Sequence, residues 1–280
     1  MSAGATAQSA LIAGIKTLKE AGVEGAPRDA RRLMAFALDI VPDRLTLHLH
    51  DAIPADASAR FDAAIAARAA RHPVSHITGV RAFWGREFRV TKDTLDPRPE
   101  TEILIDAALQ DPFETVLDLG LGTGCILLTL LAERPSARGV GGDISAAALR
   151  VASENAARFG LGERADLRLS DWFEDITGQF DLITSNPPYI AQDEMAALSP
   201  EVRLHEPHLA LTPGGDGLGP YRIIAAQAAL YLRPQGRVLV EIGPTQGQAV
   251  SEFFRTAGFA DVAVLHDFDG RDRVVRASMG

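Results

Sequence analysis

Glycines 120, 122 and 124 stand between two apolar runs, and that placement constrains the fold more than any other feature of the chain. Thr115–Leu119 (TVLDL) reads as a short strand, and Ile126–Ala132 opens a helix. Between them runs Asp118-Leu119-Gly120-Leu121-Gly122-Thr123-Gly124. Glycines there let the backbone turn tightly and approach a ligand without a Cβ clash. Strands and helices then alternate. Gly139–Asp143 reads as a strand, Ala146–Phe159 as a helix, and Ala165–Leu169 and Phe180–Thr184 as strands. Tyr221–Leu232 is helical, Gly236–Ile242 a strand, Gln246–Ala257 a helix, and Val262–His266 and Arg273–Ala277 two late strands. This order predicts an α/β fold with a parallel, doubly wound sheet that binds ligands at its strand C-termini.

The first 75 residues differ. Leu11, Ile15 and Leu18, then Ala30, Leu33, Phe36 and Ala37, recur at helical spacing, and Ala55–Ala70 is alanine-rich. Through Ser75 there are nine Lys and Arg against eight Asp and Glu; the remainder has 19 against 29, or −10. Charge and pattern change together near Pro73 and Gly79. AFWGREFRV (Ala82–Val90) then reads as a hairpin with Gly85 near its turn, and residues 100–110 as a helix. The expected organisation is a helical domain over 1–78, a β-hairpin linker over 79–98 and a catalytic domain over 99–280.

Composition narrows the function classes. A single cysteine, Cys125, excludes an internal disulfide and any site with several Cys ligands. Ile126–Ala132, the longest mostly apolar stretch, falls well short of the ~18 residues of a spanning helix. No membrane association is expected, and the N-terminus lacks a secretory or transit signal, so the cytoplasm is the expected location. A net charge of −9 argues against a nucleic-acid substrate.

Spacing narrows the glycine loop. A dinucleotide G-x-G-x-x-G starting at Gly120 needs glycine at 125, where Cys125 stands, and no Gly-Lys-Ser/Thr ends the loop as in a phosphate-binding P-loop. D-x-G-x-G-x-G instead resembles the first motif of S-adenosylmethionine-dependent methyltransferases. Asp143 ends the next strand, 19 residues beyond Gly124. It can accept hydrogen bonds from two ribose hydroxyls or cap the following helix; Ser145 is the better cap, which favours the ribose. Trp172, after the third strand, can cover an adenine or serve as a half-buried core aromatic.

Ser185-Asn186-Pro187-Pro188-Tyr189 follows the strand FDLIT directly. Two prolines fix successive φ angles and remove two backbone donors, leaving a stiff turn that presents acceptors. A planar NH₂ group, on an amide or a nucleobase, is a poor nucleophile. Two acceptors on its N–H bonds fix its orientation and favour the charge that builds on nitrogen during methylation. The first and fourth strands of such a sheet are neighbours, so the glycine loop and the Asn-Pro-Pro-Tyr turn meet.

With these motifs together, the chain resembles the HemK/PrmC family of peptide chain release factor glutamine methyltransferases. The resemblance runs through Pro73, Gly79, Phe83, Gly85 and Phe88, DPRPETE (Asp96–Glu102), the glycine loop, Asp143, DWF, NPPY, Glu206-Pro207 with Ala210-Leu211, GGDGLGPYR (Gly214–Arg222), Glu241-Ile242-Gly243 and DFDGRDRVV (Asp267–Val275). It implies a Rossmann-like class I sheet with a small helical N-terminal domain that helps hold the release factor. It also implies methyl transfer from S-adenosylmethionine to the side-chain amide of the glutamine in the Gly-Gly-Gln motif of class 1 release factors. By that resemblance Gly120, Leu121, Gly122, Thr123, Gly124, Asp143, Trp172 and Asn186 contact the cofactor. Asn186, Pro187, Pro188 and Tyr189 hold the glutamine, with Asn186, Pro187 and Tyr189 at the chemistry, and Arg98–Thr101 walls the two pockets.

Leu121 departs from the Thr or Ser common in the family loop, and Asp96 from an apolar residue; Asp96 is expected to be exposed. A ribosomal-protein glutamine or a nucleic-acid adenine N6 is the alternative acceptor. No metal is expected: His48, His50, His205 and His208 lack ligand spacing. Glu206 reads as a cap or brace for the substrate loop. Cys125 reads as a small core residue at a helix start, a place that can lower a thiol pKa.

Overall fold

The computed structural model describes residues 6–280. The chain forms two compact units. One runs through Gly79 and also takes Ser199–His205; the other comprises Val80–Leu198 and Glu206–Gly280.

The first unit is helical: α1 (Ala7–Glu20), α2 (Ala26–Ala37), α3 (Ala55–Ala69) and the short α4 (Val74–Thr78). Thr6 caps α1, its hydroxyl accepting from the Ser9 amide. The periodic apolar positions meet in one core of Leu11, Leu18, Leu33, Met34, Phe61 and Ile65. Phe36 is left out of it, exposed on the opposite face of α2. Nothing in the sequence pattern places Ser199–His205 here; its helix α8 (Pro200–His205) is held by charge. Glu201 accepts from Arg68 at 3.0 Å and Arg71 at 3.1 Å, Arg68 also donates to Asp29 at 2.9 Å, and the His205 ring lies against His72.

The second unit opens with β1 (Val80–Phe83) and β2 (Arg86–Arg89), an antiparallel hairpin. Trp84 and Gly85 at its turn both have positive φ, as a tight two-residue turn requires. The hairpin starts two residues earlier than the sequence pattern suggested. After α5 (Glu102–Leu109) come β3 (Thr115–Leu119), α6 (Cys125–Glu133), β4 (Arg138–Asp143), α7 (Ala146–Arg158), β5 (Ala165–Leu169) and β6 (Phe180–Ser185). The connection to the next strand carries α8, α9 (His208–Leu211) and α10 (Gly219–Tyr231). The chain ends with β7 (Leu232–Glu241), α11 (Gly247–Thr256), β8 (Asp261–His266) and β9 (Asp272–Ser278).

Seven strands pair in the order β5-β4-β3-β6-β7-β9-β8. The first five are parallel, but β9 runs antiparallel to both β7 and β8. This corrects the all-parallel expectation. Only residues 267–271 join β8 to β9, too few for the helical crossover that parallel neighbours need. Both faces are covered. Val116 and Leu182 point into one core with Leu104, Leu127 and Leu130, whereas Leu117 and Ile183 point into the other with Tyr221, Ile224 and Phe254. Strands buried on both faces read as unbroken apolar runs, which is why TVLDL and FDLIT stood out.

Candidate active site

The turns at the C-terminal ends of β3, β4 and β6, with the loop after β5, line one cavity of the second unit. β3 lies between β4 and β6, so the glycine loop sits between Asp143 and the Asn186 turn. Gly120, Gly122 and Gly124 all have φ between 57° and 78°, the left-handed region that side chains disfavour. Gly120 and Leu121 donate their amides to the Gly142 carbonyl, locking the loop to β4. The Leu121 side chain is buried over Gly141, where a Cβ would come within 2.6 Å of it. Where the family commonly has a hydroxyl, this chain therefore has an apolar anchor.

Asp143 Oδ2 accepts from the Gly122 amide and Oδ1 from the Ser145 amide, both at 2.8 Å. Ser145 caps α7 through the Ala148 amide, leaving Asp143 for the loop and the cavity. Each Asp143 oxygen keeps a second acceptor site. Burial raises its pKa, opposed by the two backbone donors. Beneath, Asp118 Oδ1 accepts from the Thr184 hydroxyl at 2.8 Å, and burial pushes its carboxyl up to about 8. Trp172 has φ 50°, lines the cavity and packs, half-buried, against the apolar core that includes Ile183 of β6. Cys125 lines the cavity as well; burial pushes its thiol up to about 12, against the lowering that a helix start suggested.

Among the described residues Arg98 is the one basic residue in the lining, and it is already engaged. Its guanidinium donates to Glu206 Oε2 at 2.5 Å, with the Glu206 side chain only 2% exposed. Asp96 is buried at 4% exposure in the same wall, not exposed as the sequence suggested. Burial raises the pKa of Glu206, opposed by Arg98 and reinforced to a smaller extent by Asp96.

The Asn186–Tyr189 turn is held from several sides. Ser185 Oγ donates to the Leu119 carbonyl at 2.7 Å, tying the exits of β6 and β3 together. The Gln246 amide bridges, accepting from the Gly243 amide and donating to the Tyr189 carbonyl, both at 2.9 Å. A Cβ on Gly217 would lie 2.3 Å from that carbonyl, so only glycine fits there. Asn186 Nδ2 donates to Thr101 Oγ1 at 3.3 Å. Asn186 and Pro188 line the cavity; Pro187 is buried, and Tyr189 packs against the core with its hydroxyl pushed up to about 12, chiefly by burial. The cavity lining thus unites Gly120–Thr123 of the glycine loop, Asp143, Trp172, Asn186 and Pro188, whereas Gly124, Pro187 and Tyr189 lie outside it. Sequence reasoning missed Thr101, Gln246 and Gly217 as parts of this turn's support. PETE and GGDGL carried the only sequence signal for two of them.

The residues suit S-adenosylmethionine. The loop brings bare backbone to the cavity, Asp143 offers acceptors, Trp172 a flat ring, and the paired Arg98 leaves no free cation for a phosphate. No group of three or more His, Cys, Asp or Glu among the described residues is placed to hold a metal ion, and no helix there is long and apolar enough to cross a membrane.

Sheet order, reversed β9 and the two turns define a class I S-adenosylmethionine-dependent methyltransferase. Residues 9–79 match the PrmC N-terminal domain and residues 91–218 the methyltransferase small domain. The chain belongs to the family of release factor glutamine methyltransferases. It is 63% identical to the one from Cereibacter sphaeroides, covering 98% of each chain, and 46% identical to that of Agrobacterium fabrum, covering 97% of this chain and 96% of the relative. Among solved structures, a methyltransferase from Pyrococcus furiosus shares the fold at 15% identity and TM-score 0.55, over 78% of this chain and 98% of the other.

Proposed function

We propose that this chain methylates the side-chain amide nitrogen of the glutamine in the Gly-Gly-Gln motif of class 1 peptide chain release factors. One observation carries the reading: Asn186, anchored through its NH₂ to Thr101, lies in the same cavity as the glycine loop. S-adenosylmethionine, when bound, supplies a methyl group already activated on a sulfonium. Gly120–Gly124, Asp143 and Trp172 would hold it, with Asp143 accepting from the ribose hydroxyls.

The residues of the turn do the rest. Asn186 Oδ1 and the Pro187 carbonyl accept from the two N–H bonds of the glutamine amide and aim its nitrogen. Pro187 is buried, so its carbonyl, not its ring, serves the substrate. Tyr189 and Pro188 flank the planar group. Positive charge that builds on nitrogen meets these oxygens, and the proton departs to water. Neither a metal nor a strong base is needed, because alignment in well-oriented reactions supplies up to roughly 7–11 kcal/mol. The helical unit, residues 1–78 in its main span, is proposed to dock the release factor, with no direct role for nucleic acid.

The test is incubation of the whole protein with labelled cofactor and a panel of release factor, ribosomal proteins, RNA and DNA, followed by mass mapping. Label on the Gly-Gly-Gln glutamine supports the reading. Label on an adenine or on a ribosomal glutamine, with the release factor unmodified, overturns it.

A further inference from the structure

Three polar side chains meet at the cavity wall although the sequence holds them up to 140 residues apart: Asn186 and Thr101 in the lining and Glu241 behind them. Asn186 donates to Thr101 Oγ1, and the Thr101 hydroxyl lies close enough to the Glu241 carboxyl to lower its pKa, while Glu241 Oε2 is buried with no hydrogen-bond partner among the described residues. Thr101 and Glu241 are each 1% exposed. Register accounts for the meeting. Ser185 pairs with Val240 in the parallel β6–β7 ladder, so Asn186 and Glu241 are the next residues on the two neighbouring chains. Thr101 comes from the 3₁₀ turn Pro99–Thr101.

A hydroxyl has one proton, and this gives the chain of bonds a direction. An ionised carboxylate only accepts, so it takes the Thr101 proton. The Thr101 oxygen can then only accept, which selects the NH₂ end of the Asn186 amide and leaves Oδ1 for the cavity. A protonated Glu241 can donate to Thr101 instead. The Thr101 proton is then free to meet Asn186 Oδ1, and the amide can turn. Its NH₂ would face the NH₂ of the incoming substrate, donor against donor.

We propose that Thr101 and Glu241 are positioning residues that set which end of the Asn186 amide faces the substrate, and that ionised Glu241 selects the productive end. The inference rests on the amide-methylation reading above. Glu241 is faced by Arg98 and Glu100 beside the 3₁₀ turn, Arg273 on β9, Tyr189 in the substrate turn, Tyr221 on α10 and Cys125 at the start of α6. Burial and Glu100 raise its pKa, Thr101 and the two arginines lower it, and it lies at about 7. The orientation of Asn186 therefore changes across neutral pH.

The experiment uses the full chain with intact release factor and saturating cofactor, comparing wild type, Thr101→Val, Thr101→Ser and Glu241→Gln. Wild-type kcat should rise with pH through a midpoint near 7. Thr101→Val should lower kcat by about tenfold or more with little change in cofactor Kd by calorimetry, and Thr101→Ser, which keeps the hydroxyl, should restore most of it. Glu241→Gln should abolish the acid limb. A second reading needs no substrate: the Asn186 side-chain amide resonances in ¹⁵N NMR should move with the same midpoint in wild type and stay still in Glu241→Gln and Thr101→Val. Thermal melting confirms that each variant is folded. Equal kcat in the valine and serine variants, or an amide that titrates unchanged without Glu241, overturns the relay. A wild type that leaves the glutamine unmodified counts against the proposed substrate, while the NMR titration still decides the relay.

Discussion

Replacing Asn186 with alanine removes the proposed acceptor for the substrate nitrogen while leaving the glycine loop and Asp143 in place. Turnover should fall by on the order of 10² or more, with a much smaller change in cofactor affinity. Single-turnover rates and calorimetry separate the two, and wild-type rates in the variant would remove the assigned role. Asp143→Ala should do the reverse. Its carboxylate also ties the Gly122 and Ser145 amides, so losing it both frees the loop and deletes the proposed ribose acceptor. The cofactor Kd should rise at least tenfold, a loss of about 1.4 kcal/mol. At this scale the sequence was legible wherever a cavity-lining position sits inside one short motif, as in the glycine loop, Asp143 and Asn186. It was silent where the role needs a partner from elsewhere. Thr101, Gln246 and Gly217 lie 28–85 residues from the residues of the turn that they support, and nothing local tells which residue each one meets. Cys125 and Asp96 misled for the same reason, since the burial that decides their state is tertiary.

Turns and strand ends, not whole elements, carry the site, and they are fixed by close backbone approach. Gly217 has φ 74°, and its missing Cβ makes room for the Tyr189 carbonyl. Gly217→Ala forces that carbonyl aside and strains its own backbone. The Asn186–Tyr189 turn moves while the glycine loop, held at the end of β3 by the Gly142 carbonyl, does not. Release-factor KM should rise and kcat fall, with cofactor Kd within about threefold of wild type. An unchanged KM would show that the turn tolerates the shift. Periodicity revealed nearly every strand and long helix of the second unit, because buried parallel strands and amphipathic helices write their period directly. It did not reveal the direction of β9, which depends on connection length, or the short helices α8 and α9, which present too few turns for a period.

For the molecule as a whole, stability should depend on pH through its buried carboxyls. Asp118 and Glu241 have folded pKa values of about 8 and about 7, both chiefly from burial, against unfolded values near 4. The folded chain holds these protons where the unfolded chain has released them. Their contribution is complete below the unfolded values and is lost as pH rises through 7 and 8. Asp181, Glu201 and Asp267 are lowered, so what they contribute is present above the ordinary carboxylate range and lost in strong acid. The cofactor-free protein should therefore melt at its highest temperature on the acid side of neutrality, with Tm declining toward pH 9. Asp118→Asn should flatten that alkaline decline. Calorimetric scans from pH 5 to 9 check both, and a Tm that climbs through this range would contradict the burial of these groups.

The helical unit leaves the chain at Gly79 and takes back Ser199–His205, so the polypeptide crosses between the units three times. A protease cutting between residues 79 and 80 would nick the molecule without releasing the N-terminal fragment's seven-residue companion. Exchange of helical units between relatives meets the same obstacle. Arg68, Arg71 and Glu201 form one set across two distant stretches of the sequence, and a chimera spliced at a single junction would inherit half of it. Transplants that carry residues 199–205 along with the N-terminal helices should express and fold better than those that leave them behind.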